Sequence, residues 1–135
     1  MSNRSNGTAF EAELCQILSE HGFWAHNLAQ KASGQPFDVI ASRNHMTFVI
    51  DCKVCEGDDF RLSRIEENQE RAMIRWWECG NGDGWFALRL SDGEIRMVPL
   101  QSMQWLRDNM GRKHIGREVI ETNGWPLEKW VHRCA

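Results

Sequence analysis

The sequence contains no stretch of 18 consecutive apolar residues, and its first residues, MSNRSNGT, lack the apolar core of a secretory signal. We therefore expect a protein that spans no membrane and stays in the cytoplasm. The chain also has no excess of positive charge. It contains 16 Lys and Arg and 19 Asp and Glu, which gives a net charge of −3. Any binding to nucleic acid must then depend on local basic clusters.

The sequence also lacks the features of a disulfide-bonded or zinc-binding protein. Its five cysteines are an odd number in a chain without an export signal, which favours reduced thiols. The CKVC segment, residues 52–55, has no second pair at the spacing of a zinc site, and in a strand its two cysteines would point to opposite faces. We interpret these cysteines as structural, and the five histidines show no ligand spacing.

What is present is the composition of an ordinary globular domain. The chain has 135 residues, of which 41% are hydrophobic and 26% are charged, and no repeat, low-complexity segment or linker divides it. We therefore predict a single domain over residues 1–135, with its core in about residues 7–110. The segment 111–135 has no distinct pattern and is a candidate for an interface.

Apolar periodicity and capping residues predict two long helices. The first covers residues 8–22, begins at Thr8 as the N-cap and ends at Gly22. The second covers residues 63–79 and begins at Ser63 as the N-cap.

Five strands complete the predicted fold. They cover, in order, residues 23–29, 37–42, 46–55, 85–90 and 94–100. The segments SRNH and SDG are short enough to close hairpins between neighbouring strands, and LQSMQWLRDNM adds a short third helix. The order α, β, β, β, α, β, β, α predicts an α/β fold in which helices flank a central mixed β-sheet.

The segments FDVIA and MTFVIDCKV place three charged residues inside predicted strands. Side chains alternate along a strand, so Asp51 and Lys53 share one face while the opposite face is apolar. Pairing of the two strands would bring Asp38 beside Asp51, and two facing carboxylates repel unless a cation lies between them. Hard oxygen ligands suit Mg²⁺ or Mn²⁺, and the ammonium of Lys53 could orient a water or stabilise charge on a phosphate. The alternative is an ordinary Asp–Lys ion pair at a strand edge that faces solvent.

The pattern GTAFEAEL…GF…KASGQPFDVIA…FVIDCK resembles the PD-(D/E)XK nuclease superfamily, and within it the Holliday-junction resolvases of archaeal type and the RecU-like resolvases of bacteria and phages. The resemblance covers about residues 7–90. It implies a restriction-endonuclease-like fold and a cleavage of DNA phosphodiester bonds that depends on Mg²⁺, with Mn²⁺ as a substitute. It also implies four-way junctions as the substrate, a homodimer as the active form, and a bacterial, archaeal or phage-infected cell as the setting.

The same resemblance assigns roles to individual residues. The catalytic set that it implies is Glu11, Ser33, Asp38, Asp51, Lys53 and Gln69. Within this set, Asp38 and Asp51 match the metal-binding carboxylates, and Glu11 matches a helix acid that assists them. The sequence departs from the family pattern in three ways: PFD replaces the literal PD, Asp51 stands where many resolvases have Glu, and the long insertion that forms the stalk of RecU-like enzymes is missing. These departures affect junction recognition more than cleavage.

Two of these assignments have alternatives that periodicity leaves open. Glu11 and Glu13 flank the apolar stripe of the first helix on opposite sides, and only the family spacing of four residues from Gly7 favours Glu11. Gln69 lies on the inward face of the second helix, where it is either a catalytic amide or a buried structural one.

Basic and aromatic residues suggest where DNA and a second chain would bind. The DNA-binding candidates are Lys31, Arg43, Arg61, Arg64 and Arg71, and a second basic cluster contains Arg112, Lys113 and Arg117. Trp76 and Trp77 lie about 100° apart on a helix, so both cannot face one core. The exposed one, together with WPLEKWV near the C-terminus, is a candidate dimer interface, unless the C-terminal segment folds back over Trp77 within one chain.

The function that we predict is a metal-dependent endodeoxyribonuclease that resolves Holliday junctions as a homodimer. The alternatives are a restriction-type or repair nuclease that acts on other DNA structures, and a nucleic-acid-binding module that kept the fold and lost catalysis. Every acidic and basic position of the D…DxK core is filled, which favours an enzyme.

Overall fold

The computed structural model of the chain describes residues 3–28 and 34–133. The helices are α1 (Asn3–Glu20), α2 (Glu67–Glu78), α3 (Leu100–Gln104), which continues as a π-helical turn (Trp105–Asn109), α4 (Arg117–Asn123) and α5 (Leu127–Arg133). The strands are β1 (Trp24–Asn27), β2 (Val39–Arg43), β3 (Met46–Val54), β4 (Phe60–Arg61), β5 (Trp85–Arg89), β6 (Ile95–Pro99), β7 (His114–Ile115) and β8 (Trp125–Pro126). None of the helices in these ranges combines the length and the apolar character that a membrane crossing needs.

A six-stranded sheet in the order β1-β2-β3-β5-β6-β8 forms the centre of the molecule. Strands β3 and β5, which α2 connects, run parallel, and the other neighbours in this sheet are antiparallel. The sheet is therefore mixed, as predicted. The β2–β3 hairpin turns through Asn44 and His45, both with positive φ, as a tight two-residue hairpin requires. Strands β4 and β7 form a separate two-stranded ribbon, which we call the β4–β7 ribbon.

Helices cover both faces of the sheet because its central strands are apolar on both sides. On one face, α1 and α5 pack on the strands through side chains such as Leu14, Ile50 and Trp130, all fully buried. On the other face, α2, α3 and α4 cover a second cluster that includes Met73 and Phe86. This arrangement is the predicted α/β fold with helices flanking a mixed sheet.

The C-terminal residues belong to the core, which the sequence did not predict. The ring of Trp130 stacks on Phe23 with 5.9 Å between ring centroids, and Ile115 and Ile120 are buried on the opposite face of the sheet. Trp130 is therefore excluded from an interface between chains. The alternative in which this segment folds back over Trp77 is also wrong, since Trp77 remains 61% exposed.

The predicted starts of the two long helices are wrong. Helix α1 begins before Thr8, which therefore is not its N-cap. An interior glycine such as Gly7 costs a helix only about 1 kcal/mol, which is too little to stop it. Ser63 lies in a short 3₁₀ turn, and Glu66 is the N-cap residue of α2. The burial of Leu62 holds that turn against the core, so the helix starts later than its polar residues suggest.

Candidate active site

The pairing of β2 with β3 brings two aspartates side by side. Val39 pairs with Ile50, so Asp38, one residue before β2, lies opposite Asp51. The backbone N–H of Asp38 donates to the carbonyl of Ile50 at 3.1 Å, so the chain still lies against β3 at this point. Both aspartates are buried. The strand pattern had predicted this juxtaposition.

The carboxylate of Asp38 is held in one orientation by two donors. Its Oδ2 accepts the backbone N–H of Cys52 at 2.8 Å, and its Oδ1 accepts the side-chain amide of Gln35 at 2.9 Å. Gln35 is itself buried, and its backbone carbonyl accepts a hydrogen bond from the side-chain amide of Asn68 in α2 at 3.4 Å. The two hydrogen bonds to Asp38 fix the orientation of both carboxylate oxygens. Sequence reasoning missed Gln35, since in the SGQP turn only its position three residues before Asp38 marks it.

Gly34 allows this turn to approach α2. Its φ is +83°, which favours glycine, and a Cβ at this position would lie only 2.9 Å from the side-chain nitrogen of Asn68. The turn before Asp38 is thereby fixed to the first turn of α2.

Asp51 has a different environment, in which the charged form is poorly satisfied. It is fully buried, and as a carboxylate neither of its oxygens finds a hydrogen-bond donor among the described residues. Burial raises the pKa of Asp51 well above its usual range, and the hydrogen bond that its protonated form makes with Asp38 raises it further. The ammonium of Lys53, 3.5 Å from Oδ2, acts in the opposite direction. The site therefore contains a carboxylate that needs more positive charge than the protein supplies.

Lys53 lies between two acids at the end of β3. Its Nζ is 3.5 Å from Asp51 and 3.9 Å from the carboxylate of Glu66, and its side chain is largely buried. Glu66 is the N-cap residue of α2, and this position brings its carboxylate to Lys53.

Helix α1 contributes Glu11 to the same site. Burial raises the pKa of Glu11 to about 7, the negative charge of Asp38 raises it as well, and the charge of Lys53 lowers it. Glu13 instead forms an ion pair with Arg89. The two acids that periodicity could not separate therefore lie in different environments, with Glu11 beside the aspartates.

Two members of the predicted catalytic set stay predictions. Ser33 lies outside the described residues. Gln69 is buried on α2, and its amide oxygen has no hydrogen-bond partner within the described part of the chain. The burial of Gln69 on the inward face of α2 agrees with its predicted orientation, and its role stays a prediction.

Comparison with known proteins identifies the family of this chain. The family model for the archaeal Holliday junction resolvase (Hjc) matches residues 2–134. The chain belongs to this family. Its structure is similar to the 1.6 Å structure of Hjc from Archaeoglobus fulgidus, a Holliday junction resolvase from an archaeal hyperthermophile, with a TM-score of 0.70 and 20% sequence identity over 94% of this chain and 96% of that chain. No curated protein sequence matches the chain. The resemblance stated from the sequence and the predicted fold class are confirmed.

The side chains of this member of the Hjc family fit a divalent cation at Asp38 and Asp51. Among the described residues, no donor reaches either buried oxygen of the Asp51 carboxylate, and burial raises the pKa values of Asp51 and Glu11, so both charged forms would gain from a nearby cation. In residues 3–28 and 34–133, no three His, Cys, Asp or Glu side chains form a group ready to hold a metal. The two aspartates are therefore the candidate ligands, and Glu11 is a nearby acid rather than a preformed third ligand.

Arg43, a predicted DNA-binding residue, has a structural role. Its guanidinium donates to the carbonyls of His21, at 2.8 Å, and Val131, and lies over the ring of Phe23 at 4.2 Å. It therefore connects the end of α1 to α5, and we leave it out of the proposed DNA surface.

The other predicted DNA-binding residues differ in how available they are. Arg64 donates to the carbonyl of Val54 at 2.9 Å, and Arg71 pairs with Glu67 on the exposed face of α2. Arg61 is exposed on β4. Lys31 lies outside the described residues.

Glu11 predicts how the stability of the metal-free protein depends on pH. Its folded pKa of about 7 exceeds its ordinary value of 4.5, so between these pH values the folded state retains a proton that the unfolded state has lost. The corresponding stability is complete below about pH 4.5 and is lost as the pH rises to about 7. In urea unfolding with excess chelator, Glu11→Gln should therefore show a shallower decline over this window than the wild type.

The matched control is Glu13→Gln, which should keep the wild-type decline because Glu13 lies outside the cluster. The same decline in all three proteins would contradict the assignment of Glu11 to the site.

Proposed function

We propose that this chain is a metal-dependent endodeoxyribonuclease that cuts four-way DNA junctions and that it forms one nuclease domain. The observation that carries the proposal is the pair of buried carboxylates, Asp38 and Asp51, with the ammonium of Lys53 at 3.5 Å from Asp51. Membership of the archaeal Holliday junction resolvase family supports a junction as the substrate.

In the proposed mechanism, Asp38 and Asp51 would hold Mg²⁺ or, in its place, Mn²⁺. Such an ion would supply activation of a water and neutralisation of charge on the phosphate. The amide of Gln35 and the N–H of Cys52 orient the Asp38 carboxylate. The ammonium of Lys53 stabilises the negative charge that develops on the phosphate, in a largely buried position where such a charge acts strongly.

We further propose that the active form is a homodimer, because a junction offers two symmetric strands for paired cuts. Trp76 packs edge-to-face on Phe37, with 6.2 Å between ring centroids, while Trp77 is exposed. Ile74, one turn before Trp77, is exposed as well. An exposed aromatic and aliphatic pair on one helix face favours an interface.

Trp77→Glu should convert the dimer into a monomer. The substitution would place an unpaired charge in an apolar contact, which is costly to bury. Light scattering or sedimentation at micromolar concentration measures the change in mass. The control is Trp24→Glu, which alters an equally exposed tryptophan on the edge strand β1 and should leave the dimer intact. A wild-type monomer that cuts junctions symmetrically, or a dimeric Trp77→Glu variant, would contradict the proposed interface.

Competition binding tests the choice of substrate. A labelled four-way junction bound to an Asp38→Asn variant, which should not cut it, is challenged with unlabelled linear duplex at equal mass and salt. We expect the duplex to displace the junction poorly. Displacement at equal mass would reduce the proposal to a general nuclease, such as a restriction-type or repair enzyme.

A further inference from the structure

A cleft of about 500 Å³ lies beside the β4–β7 ribbon, and its walls are basic. The charged and titratable side chains that line it are Arg61, Arg107, Arg112, Lys113 and His114. We call it the basic cleft. Leu62 and Ile65 contribute the apolar part of its wall, and both are buried.

Some of these side chains already have acidic partners. Arg107 makes two hydrogen bonds of 2.8 Å to Glu70 and also contacts Asp108, and the ring of His114 lies 3.1 Å from Asp59. The three remaining cations of the cleft are Arg61, Arg112 and Lys113. Within residues 3–28 and 34–133, no carboxylate lies at ion-pair distance from any of these three, and all three are exposed.

Several other arginines of the described surface are instead paired with acids. Arg71, Arg89, Arg96 and Arg117 each contact at least one carboxylate. In a chain with a net charge of −3, paired arginines of this kind present little net positive charge to an anion. The basic cleft is therefore a place where cationic groups remain available to bind phosphate.

The basic cleft also adjoins the candidate active site. The guanidinium of Arg64, in the segment that forms one wall, donates to the carbonyl of Val54, the residue after Lys53. Glu66 follows Ile65 of the same wall, and its carboxylate lies 3.9 Å from Lys53. Side-chain contacts thus connect the wall of the basic cleft to the end of β3, where Lys53 lies.

From this placement we infer that the basic cleft binds the phosphate backbone of a duplex DNA arm, next to the phosphodiester bond that is cut. The inference rests on the proposed nuclease function and specifies how its substrate is held. Phosphates follow one another at about 3.4 Å of helix rise per strand, so a strand seated in the active site carries further phosphates past its neighbouring surface. Contacts to phosphate position a duplex without reading its sequence.

The test is the salt dependence of DNA binding. The double variant Arg112→Ala/Lys113→Ala is compared with Arg75→Ala/Lys129→Ala, which removes the same charge from exposed residues outside the cleft. Both carry Asp38→Asn so that the DNA is not cut, and both are measured with linear duplex and with a four-way junction. Each lost phosphate contact lowers the slope of log Kd against log salt by about one. We expect a loss of about two for the cleft variant on both DNAs and a wild-type slope for the control.

An unchanged slope for the cleft variant, or an equal loss in the control, would overturn the inference. We expect the double variant to fold. Next to the β4–β7 ribbon, the N–H of Leu62 donates to the backbone carbonyl of Lys113, and this bond does not involve the Lys113 side chain. Circular dichroism checks this, and Arg112→Gln/Lys113→Gln replaces the double variant should it unfold.

Failure of the nuclease proposal would look different. A wild-type protein that cuts no junction, combined with a reduced salt slope in the cleft variant, would remove the resolvase function and leave the basic cleft as a DNA-backbone site. Junction cleavage with an unchanged slope would remove the cleft alone.

Discussion

Asp51→Asn should abolish DNA cleavage without lowering the stability of the fold. The Asp51 carboxylate is fully buried, and burial, followed by the bond that its protonated form makes with Asp38, raises its pKa well above the usual range. Because the unfolded carboxyl ionises more readily than the folded one, the raised pKa lowers the stability at neutral pH, and an amide of the same shape removes this cost. The same amide removes half of the charge that would bind the cation. Cleavage should fall by more than about a hundredfold, since losing even an outer partner of a metal ligand costs about 10- to 100-fold.

Single-turnover cleavage of a labelled four-way junction in Mg²⁺, followed by thermal unfolding of the same preparation, measures both parts of this expectation. Asp38→Asn should be equally inactive. Glu128→Gln, an exposed acid on α5, is the control and should cut normally. An active Asp51→Asn protein, or a wild type that cuts in excess chelator, would exclude the metal mechanism.

Lys53→Ala should lower the rate of the chemical step by about 10²- to 10³-fold, the range that is typical when one preorganised electrostatic group is removed. Its ammonium is 3.5 Å from Asp51 and is largely buried, so solvent screens it weakly. Binding of the junction should change little, because the charge acts on the transition state rather than on the DNA backbone.

The comparison is made at saturating Mg²⁺ in single turnover, with junction affinity measured separately. Lys129→Ala removes an exposed lysine of α5 and should keep the wild-type rate. A change of less than about threefold for Lys53→Ala would reduce Lys53 to the partner of an ordinary ion pair.

The centre of the candidate site could be predicted from sequence because short-range rules determine it. Side chains alternate along a strand, which placed Asp51 and Lys53 on one face once residues 46–54 were recognised as β3. A two-residue turn at Asn44 and His45 then sets the register that brings Asp38 opposite Asp51. None of these steps needs a contact between distant parts of the chain.

The surrounding residues could not be predicted, because their positions depend on contacts that are far apart in sequence. The turn that contains Gln35 is joined to α2 by a hydrogen bond from Asn68, 33 residues later. Arg43 was predicted to bind DNA, but its guanidinium donates to the carbonyls of His21 and Val131, the latter 88 residues away. Trp130 likewise has no local pattern and is buried by aromatic rings from three strands or their flanks.

The most direct test of the central claim is cleavage of a four-way junction beside linear, nicked and flapped DNA of the same sequence, each with Mg²⁺ and with chelator. We predict paired, symmetric cuts in the junction with Mg²⁺, far slower cutting of the other three DNAs, and no cutting of any of them in chelator. Cleavage that continues in chelator, or a junction that stays intact while linear duplex is cut, would contradict the assignment of this chain as a metal-dependent junction resolvase.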